Sequence, residues 1–308
     1  MSANQLKLPE GVQVFERGWL SSNCVFFDDG QRSWLVDSGY CTHSGQTLDL
    51  VASKLGSRPL DFLINTHLHS DHCGGNAALQ AQYPDLVTVI PPGQSDWVKN
   101  WDPVGLFYTP TGQLCPRFEF DKTLLIGSSI QLGQQNWEVH AAGGHDPHAV
   151  ILFEPSGKVL ISADALWQSG FGVIFPELEG IEAFADVAST LDLIEQLNPS
   201  LVIPGHGAMF KYSAQILATA RQKLDGFVND PVKLARHGAK VLLKFKLLER
   251  QKLLFSEFTD WASKTPCLVQ YQGRFFGDSD FSTWIEELCC ELVKAGVAKR
   301  DGDEILNQ

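Results

Sequence analysis

Short apolar runs alternate with amphipathic stretches over the first two thirds of the chain. Runs at 12–15, 24–27, 33–36, 62–65 and 87–90 have the length and the β-branched or aromatic content of strands. Asp28-Asp29-Gly30 supplies a hairpin turn between the second and third of them. Leu48, Val51 and Leu55 recur at helical spacing within 44–55, and 76–82 reads as a further helix. A second set of strands is expected at 124–126, 129–132, 137–141, 150–154 and 158–162, with Pro155-Ser156-Gly157 turning between the last two. Residues 182–197 place Phe184, Val187, Leu191, Ile194 and Leu197 on one helix face and stop at Asn198-Pro199. A strand at 201–203 closes this part, and the alternation predicts an α/β (α+β layered) fold.

The periodicity lapses between Pro91 and Lys122, where Trp97, Trp101, Phe107, Tyr108, Phe118 and Phe120 are mixed with prolines and glycines. A loop of that length in a compact domain is usually functional, so the segment reads as a lid or pocket wall. A second aromatic stretch, from Trp167 through Phe171 to Pro176, is its expected facing wall. Beyond Phe210 the character changes, which divides the chain into residues 1–210 and 211–308. Residues 232–248 show Leu234, Val241, Leu242, Phe245 and Leu248 on one helix face and Lys233, His237, Lys240 and Lys244 on a solvated one. Helices are expected at 253–264 and 281–295, with extended pieces at 267–271 and 274–276.

With 308 residues, 44% of them hydrophobic, the chain can bury a sizeable core. No apolar segment follows Lys7, and none approaches the roughly 18 uninterrupted apolar residues of a membrane span, which disfavours secretion and membrane insertion. Seven irregularly spaced cysteines without CxxC pairs fit a reducing cytoplasm. The net charge of -12 disfavours non-specific nucleic-acid binding. Its distribution is uneven: ten basic and three acidic residues between Lys211 and Lys252 give a local +7, leaving 14 basic and 33 acidic residues, or -19, elsewhere.

One stretch carries chemistry. Directly after the apolar run Phe62-Leu63-Ile64 come Thr66-His67-Leu68-His69-Ser70-Asp71-His72-Cys73-Gly74-Gly75, three imidazoles and a carboxylate within six residues. Such nitrogen and oxygen donors are what zinc, iron or manganese select. His67 and His69, two apart in an extended segment, can point one way, while Asp71 and His72 in the following turn point another, so one segment can serve two ions. Gly74-Gly75 lets the chain turn sharply into the next helix.

HLHSDH resembles the HxHxDH signature of the metallo-β-lactamase superfamily, and three further motifs of that family follow in order: Gly143-Gly144-His145, Ile161-Ser162-Ala163-Asp164 and Pro204-Gly205-His206-Gly207. The resemblance covers about residues 12 to 210 and implies an αββα sandwich. The remainder resembles the small, mainly helical, winged-helix-like C-terminal region of the β-lactamase-like protein 2 group. Carried over residue by residue, the resemblance puts His67, His69 and His145 on one divalent ion, Asp71, His72 and His206 on a second, and Asp164 between them. It implies a metal-bridging hydroxide as nucleophile, with Asp71 orienting it or taking its proton. Asp37, in a strand-ending Asp-x-Gly, orders the metal loop without touching a metal or is a plain turn aspartate, and Asp146 holds a ligand imidazole or shapes the turn before Pro147. Cys73 stands at a position that the resembled motif leaves free. His148, Trp97, Tyr108, Trp167 and Phe171 are the candidate substrate contacts, whereas His43 and His140 read as ordinary.

The ligand set resembles that of hydroxyacylglutathione hydrolases, which implies a small-molecule thioester or ester substrate and paired zinc ions, with iron or manganese as alternatives. An aspartate at 164 and no secretion signal argue against antibiotic hydrolysis. The runner-up is a phosphodiesterase or endoribonuclease in which Lys233, Arg236, Lys240 and Lys244 grip phosphates; a lactonase is a further option. A non-enzymatic metal-binding redox or sensing module is the third reading, and a homodimer is compatible with all of them.

Overall fold

The structure, a computed structural model, describes residues 7–176 and 183–308. Two six-stranded sheets are stacked face to face. The first contains β1 (Val12–Phe15), β2 (Cys24–Asp28), β3 (Ser33–Val36), β4 (Phe62–Ile64), β5 (Val87–Ile90) and β6 (Lys122–Thr123), hydrogen-bonded in that order. The second runs from β12 (Phe210–Lys211) through β11 (Leu201–Pro204), β10 (Val159–Ala163), β9 (Val150–Glu154) and β8 (Gln135–Ala141) to β7 (Ser129–Leu132).

Period-two alternation fixes which side chains meet. Val25, Phe27 and Val36 point between the sheets onto Trp137, Val139, Leu152 and Ile161. Their neighbours Phe26 and Leu35 point outward, onto Val51, Leu55 and Leu79 of α1 (Ser44–Leu55) and α3 (Asn76–Gln82); the one-turn α2 (Ser70–Cys73) lies between those helices in the chain. On the far side Ile151, Phe153, Leu160 and Val202 bury helices described below. The result is the αββα sandwich.

The 91–122 segment is more ordered than its lost periodicity suggests. It contains α4 (Ser95–Asn100) and α5 (Tyr108–Thr111), and Leu106, Tyr108 and Phe118 build a small core with Leu68, Cys73 and Ile90. The strand expected at 124–126 is instead the two residues of β6: Leu124 still donates to Ile90 O at 2.8 Å, but Leu125 and Ile126 are exposed in the turn that follows. Apolar character there does not report burial. The helix expected at 182–197 is α6 (Ala183–Leu197), and Glu182 lies outside the described residues.

Beyond β12, helix α7 (Ala214–Val228), absent from the periodicity reading, packs Leu217, Ala220, Leu224 and Phe227 beneath the second sheet beside α6. Then follow α8 (Pro231–Arg250), β13 (Lys252–Leu254), α9 (Phe255–Ser263), α10 (Pro266–Phe275), α11 (Phe281–Lys294), β14 (Ala298–Asp301) and β15 (Glu304–Asn307). The extended pieces expected at 267–271 and 274–276 belong to α10. Pro266 suits a first helical position, and Cys267, Leu268 and Tyr271 all face inward at one-turn spacing. Residues 252–254 start a three-stranded antiparallel sheet, β13-β15-β14, that closes over the helices and gives the winged-helix-like shape.

Helix α8 ties this part to the sandwich. Glu249 accepts from Tyr40 Oη at 2.8 Å and pairs with Lys246 at 2.7 Å, and Tyr40 Oη accepts from Leu114 N at 3.0 Å. Among the described residues no helix is long and apolar enough to cross a membrane.

Candidate metal centre

All four motifs stand at the C-terminal ends of strands on one rim of the sandwich: the His67 loop after β4, His145 after β8, Asp164 after β10 and His206 after β11. The loop after β4 is held down by Asp37, which accepts from Thr66 N and from Thr66 Oγ1 at 2.8 Å each and meets His72 Nδ1 at 2.7 Å. Gly74 and Gly75 have ordinary negative φ angles. Close approach explains them: a Cβ at Gly74 would stand 2.6 Å from Cys41 N, and one at Gly75 2.5 Å from Ser38 O. At Gly205 a Cβ would run into Asp164.

Two groups of donors result, His67 with His69 and His145, and Asp71 with His72, Asp164 and His206, the ligand atoms of each group lying within 4.8 Å of one another. His69 Nδ1 is 2.8 Å from His145 Nε2, and His206 Nε2 is 3.0 Å from Asp71 Oδ2. Asp164 touches both groups, with Oδ2 3.3 Å from His145 Nε2 and Oδ1 3.4 Å from His72 Nε2.

These residues suit divalent cations. Nδ1 of His67, His72 and His145 is engaged by Thr66 Oγ1, Asp37 and Val173 O, which turns Nε2 of each toward the centre. Nε2 of His67 is buried without a hydrogen-bond partner, an arrangement that costs free energy unless something positive meets the lone pair. Burial, aided by neighbouring His69, lowers His145 to about 4, and burial likewise lowers His69 to about 4, so both are neutral donors at pH 7. Burial alone would neutralise Asp164, but His206 and His72 outweigh it and hold the carboxyl well below its usual range. For His72 burial is outweighed by Asp164 and Asp37, which raise it.

The centre opens into a cavity of about 510 Å³, lined by His69, Asp71, His145, Asp164 and His206 and by residues of α8. Tyr108, Trp167 and Phe171 line it. Trp97 and His148 stand outside its lining and pack edge to face against each other, ring centroids 5.9 Å apart. Trp167 Nε1 donates to Asp164 Oδ1 at 3.2 Å. Cys73 belongs to neither donor group; its Sγ lies 3.1 Å from Tyr108 Oη and 3.8 Å from Cys115 Sγ. Asp146 is fully buried, accepts from Gln94 Nε2 and His148 N, and lies 3.8 Å from His69 Nε2.

Several cavity residues escaped the sequence reading. Trp19, 57% exposed, stacks on the His206 ring at 5.6 Å and meets Trp167 edge-on; a lone ring beside Gly18 gives no periodic signal. His237 faces the cavity instead of open solvent, stacked on Phe227 at 5.4 Å. Val241, Phe245 and Leu248 turn to the cavity while Leu243 and Leu247 fill the appendage core, so α8 has two apolar faces.

Residues 17–206 match the family model described as the metallo-beta-lactamase superfamily. The chain belongs to the metallo-beta-lactamase superfamily. A hydroxyacylglutathione hydrolase of Brucella anthropi is 27% identical over 160 residues, which is 52% of this chain and 50% of that protein. The chain thus spans about half the length of that relative. Among solved structures, a metallo-beta-lactamase family protein from Thermus thermophilus superposes over 98% of this chain and 100% of its own, with TM-score 0.60 and 13% identity. A beta-lactamase domain protein from Burkholderia ambifaria covers 98% and 94%, with TM-score 0.59 and 17% identity. Both likenesses extend through the appendage and concern the fold.

Proposed function

We propose that this chain is a binuclear metal-dependent hydrolase of thioesters or esters. The observation that carries the proposal is the pair of donor groups sharing Asp164 at the mouth of one largely apolar cavity. His67, His69 and His145 would hold one ion, Asp71, His72 and His206 the other, and Asp164 both. When bound, the paired ions supply an ionised water at neutral pH and positive charge beside the reacting oxygen. Asp71 is kept ionised against burial by His206 and His72, so it can orient that water and accept its proton. Trp167 steadies Asp164, and the walls around Phe171 and Phe245 exclude water and receive the acyl portion. The hydroxyacylglutathione hydrolase relatives support a thioester, and the donor set suits zinc, which we propose over iron and manganese. Free, irregularly spaced cysteines support a cytoplasmic setting.

The phosphodiesterase reading loses its grip on α8. Arg236 and Lys240 pair with Glu291, the latter at 2.9 Å, and Lys244 is held by Val297 O, Asn307 and Gln308 O. Zinc-loaded protein assayed on S-lactoylglutathione, a simple acyl thioester, a lactone and bis(p-nitrophenyl) phosphate tests the choice. Thioester turnover that chelation abolishes and zinc restores is the expected result. Turnover of the phosphodiester alone would overturn it.

A further inference from the structure

Lys223 of α7 lines the same cavity. Its stem crosses Gly170, where a Cβ would sit 2.7 Å from Lys223 Cδ. Its ammonium donates to Phe171 O at 2.9 Å and lies over the rings of Phe171 and Phe227, 4.8 and 5.7 Å from their centroids. An ammonium has three donors, and of these only the one to Phe171 O has an oxygen partner among the described residues. Among the described residues no carboxylate pairs with it, and burial lowers it to about 8. The contrast with the other cavity cations is informative, because Lys240 is paired with Glu291 and Lys244 is held by three oxygen acceptors. His237, stacked on Phe227 and close enough to Lys223 for burial and that charge together to lower it to about 4, adds a ring nitrogen to the same wall. A half-buried cation between two aromatic faces, with no acid beside it among the described residues, is costly unless a ligand completes it.

We infer that Lys223 with His237 is an anion-binding subsite, and that the substrate carries a carboxylate or phosphate separated by an apolar segment from the bond cleaved at the metal centre. The cavity has the matching layout. Its lining combines the metal donors and Lys223 with the apolar side chains of Phe171, Phe175, Val241 and Phe245. The subsite itself does not depend on the hydrolase reading, whereas the position of the anion within a substrate does.

Two measurements on the zinc-loaded full chain separate these. The first is calorimetric binding of hexanesulfonate, a poor metal ligand with an anionic head on an apolar chain, against 1-hexanol. Lys223→Met should weaken hexanesulfonate about tenfold, the weight of one charge-assisted hydrogen bond, and leave hexanol affinity much less affected, with Lys223→Arg recovering part of the loss. Lys233→Met, on the exposed start of α8, is the control and should match the parent. Equal hexanesulfonate affinity in parent and Lys223→Met would overturn the subsite. The second compares kcat/KM for hexanoyl thioesters of 3-mercaptopropionate, 2-mercaptoethyl phosphate and N-acetylcysteamine. The parent should prefer one or both anionic thiols over the neutral one, the choice between them identifying the anion, and the preference should collapse toward unity in Lys223→Met. A preference that survives the substitution would sink the inference. If none of the three thioesters turns over while hexanesulfonate binding depends on Lys223, the thioesterase proposal fails and the anion subsite stands.

Discussion

At the residue scale, most of the centre follows from which nitrogen of each imidazole is occupied. Asp37, Thr66 and Val173 take Nδ1 of three histidines and leave Nε2 for an ion, whereas His69 presents Nδ1 toward His145. The spelling HLHSDH made the residues visible; these partners come from the residue just after β3, the loop start and the stretch after Phe171, so no local pattern names them all. His237 illustrates the opposite case. Its place among lysines on a helix suggests solvent, yet Phe227 and Lys223 enclose it, and burial holds it at about 4. A histidine lowered from 6.5 stays neutral in the fold but accepts a proton once unfolded, so its contribution is complete above about pH 6.5 and is lost as the pH falls toward 4. His237→Gln should therefore flatten the loss of stability between those values, by up to about 3 kcal/mol at the acid end given about 1.4 kcal/mol per unit. Urea denaturation from pH 7 to 4 measures it, and parallel curves for parent and variant would refute the burial argument.

At the scale of elements, strands buried on both faces were the most legible, since runs such as Val150–Glu154 have few alternatives. The appendage was least legible. The buried stripe of α7 includes Ala220, a weak apolar marker, and β14 is largely charged, Lys299-Arg300-Asp301, because only Ala298 of that strand is buried. In α10, Tyr271 and Val269 favour strands in isolation, and tertiary burial of Leu268 and Tyr271 decides for helix. What locks α8 to the sandwich, Glu249 between Tyr40 and Lys246, joins positions over 200 apart in the chain and cannot be read locally. Glu249→Ala would strand the Lys246 ammonium and the Tyr40 hydroxyl, both shielded from water. A loss of about 3–5 kcal/mol is expected in chemical denaturation, with Glu249→Gln losing less; a change below about 1 kcal/mol, the level of an exposed pair, would show that this contact does not hold the appendage.

At the scale of the molecule, the two sheets bring β4, β8, β10 and β11 to end on one rim, and the appendage covers that rim with α8. The acid-rich sandwich supplies the metal donors, and the basic stretch supplies a wall in which Lys240 pairs with Glu291, Lys244 is held by oxygen acceptors, and Lys223 has no acid partner among the described residues. Substrate choice in this account lies in the contact of the two parts, and chemistry in the sandwich alone. The central claim is that seven side chains hold two cations through one shared carboxylate. Metal content of the purified, zinc-reconstituted chain, measured by mass spectrometry alongside Asp164→Asn, tests it most directly. Two ions per chain in the parent, and weakened retention of both in the variant, are the predicted result; a single ion in the parent, or two equally tight ions in Asp164→Asn, would contradict it.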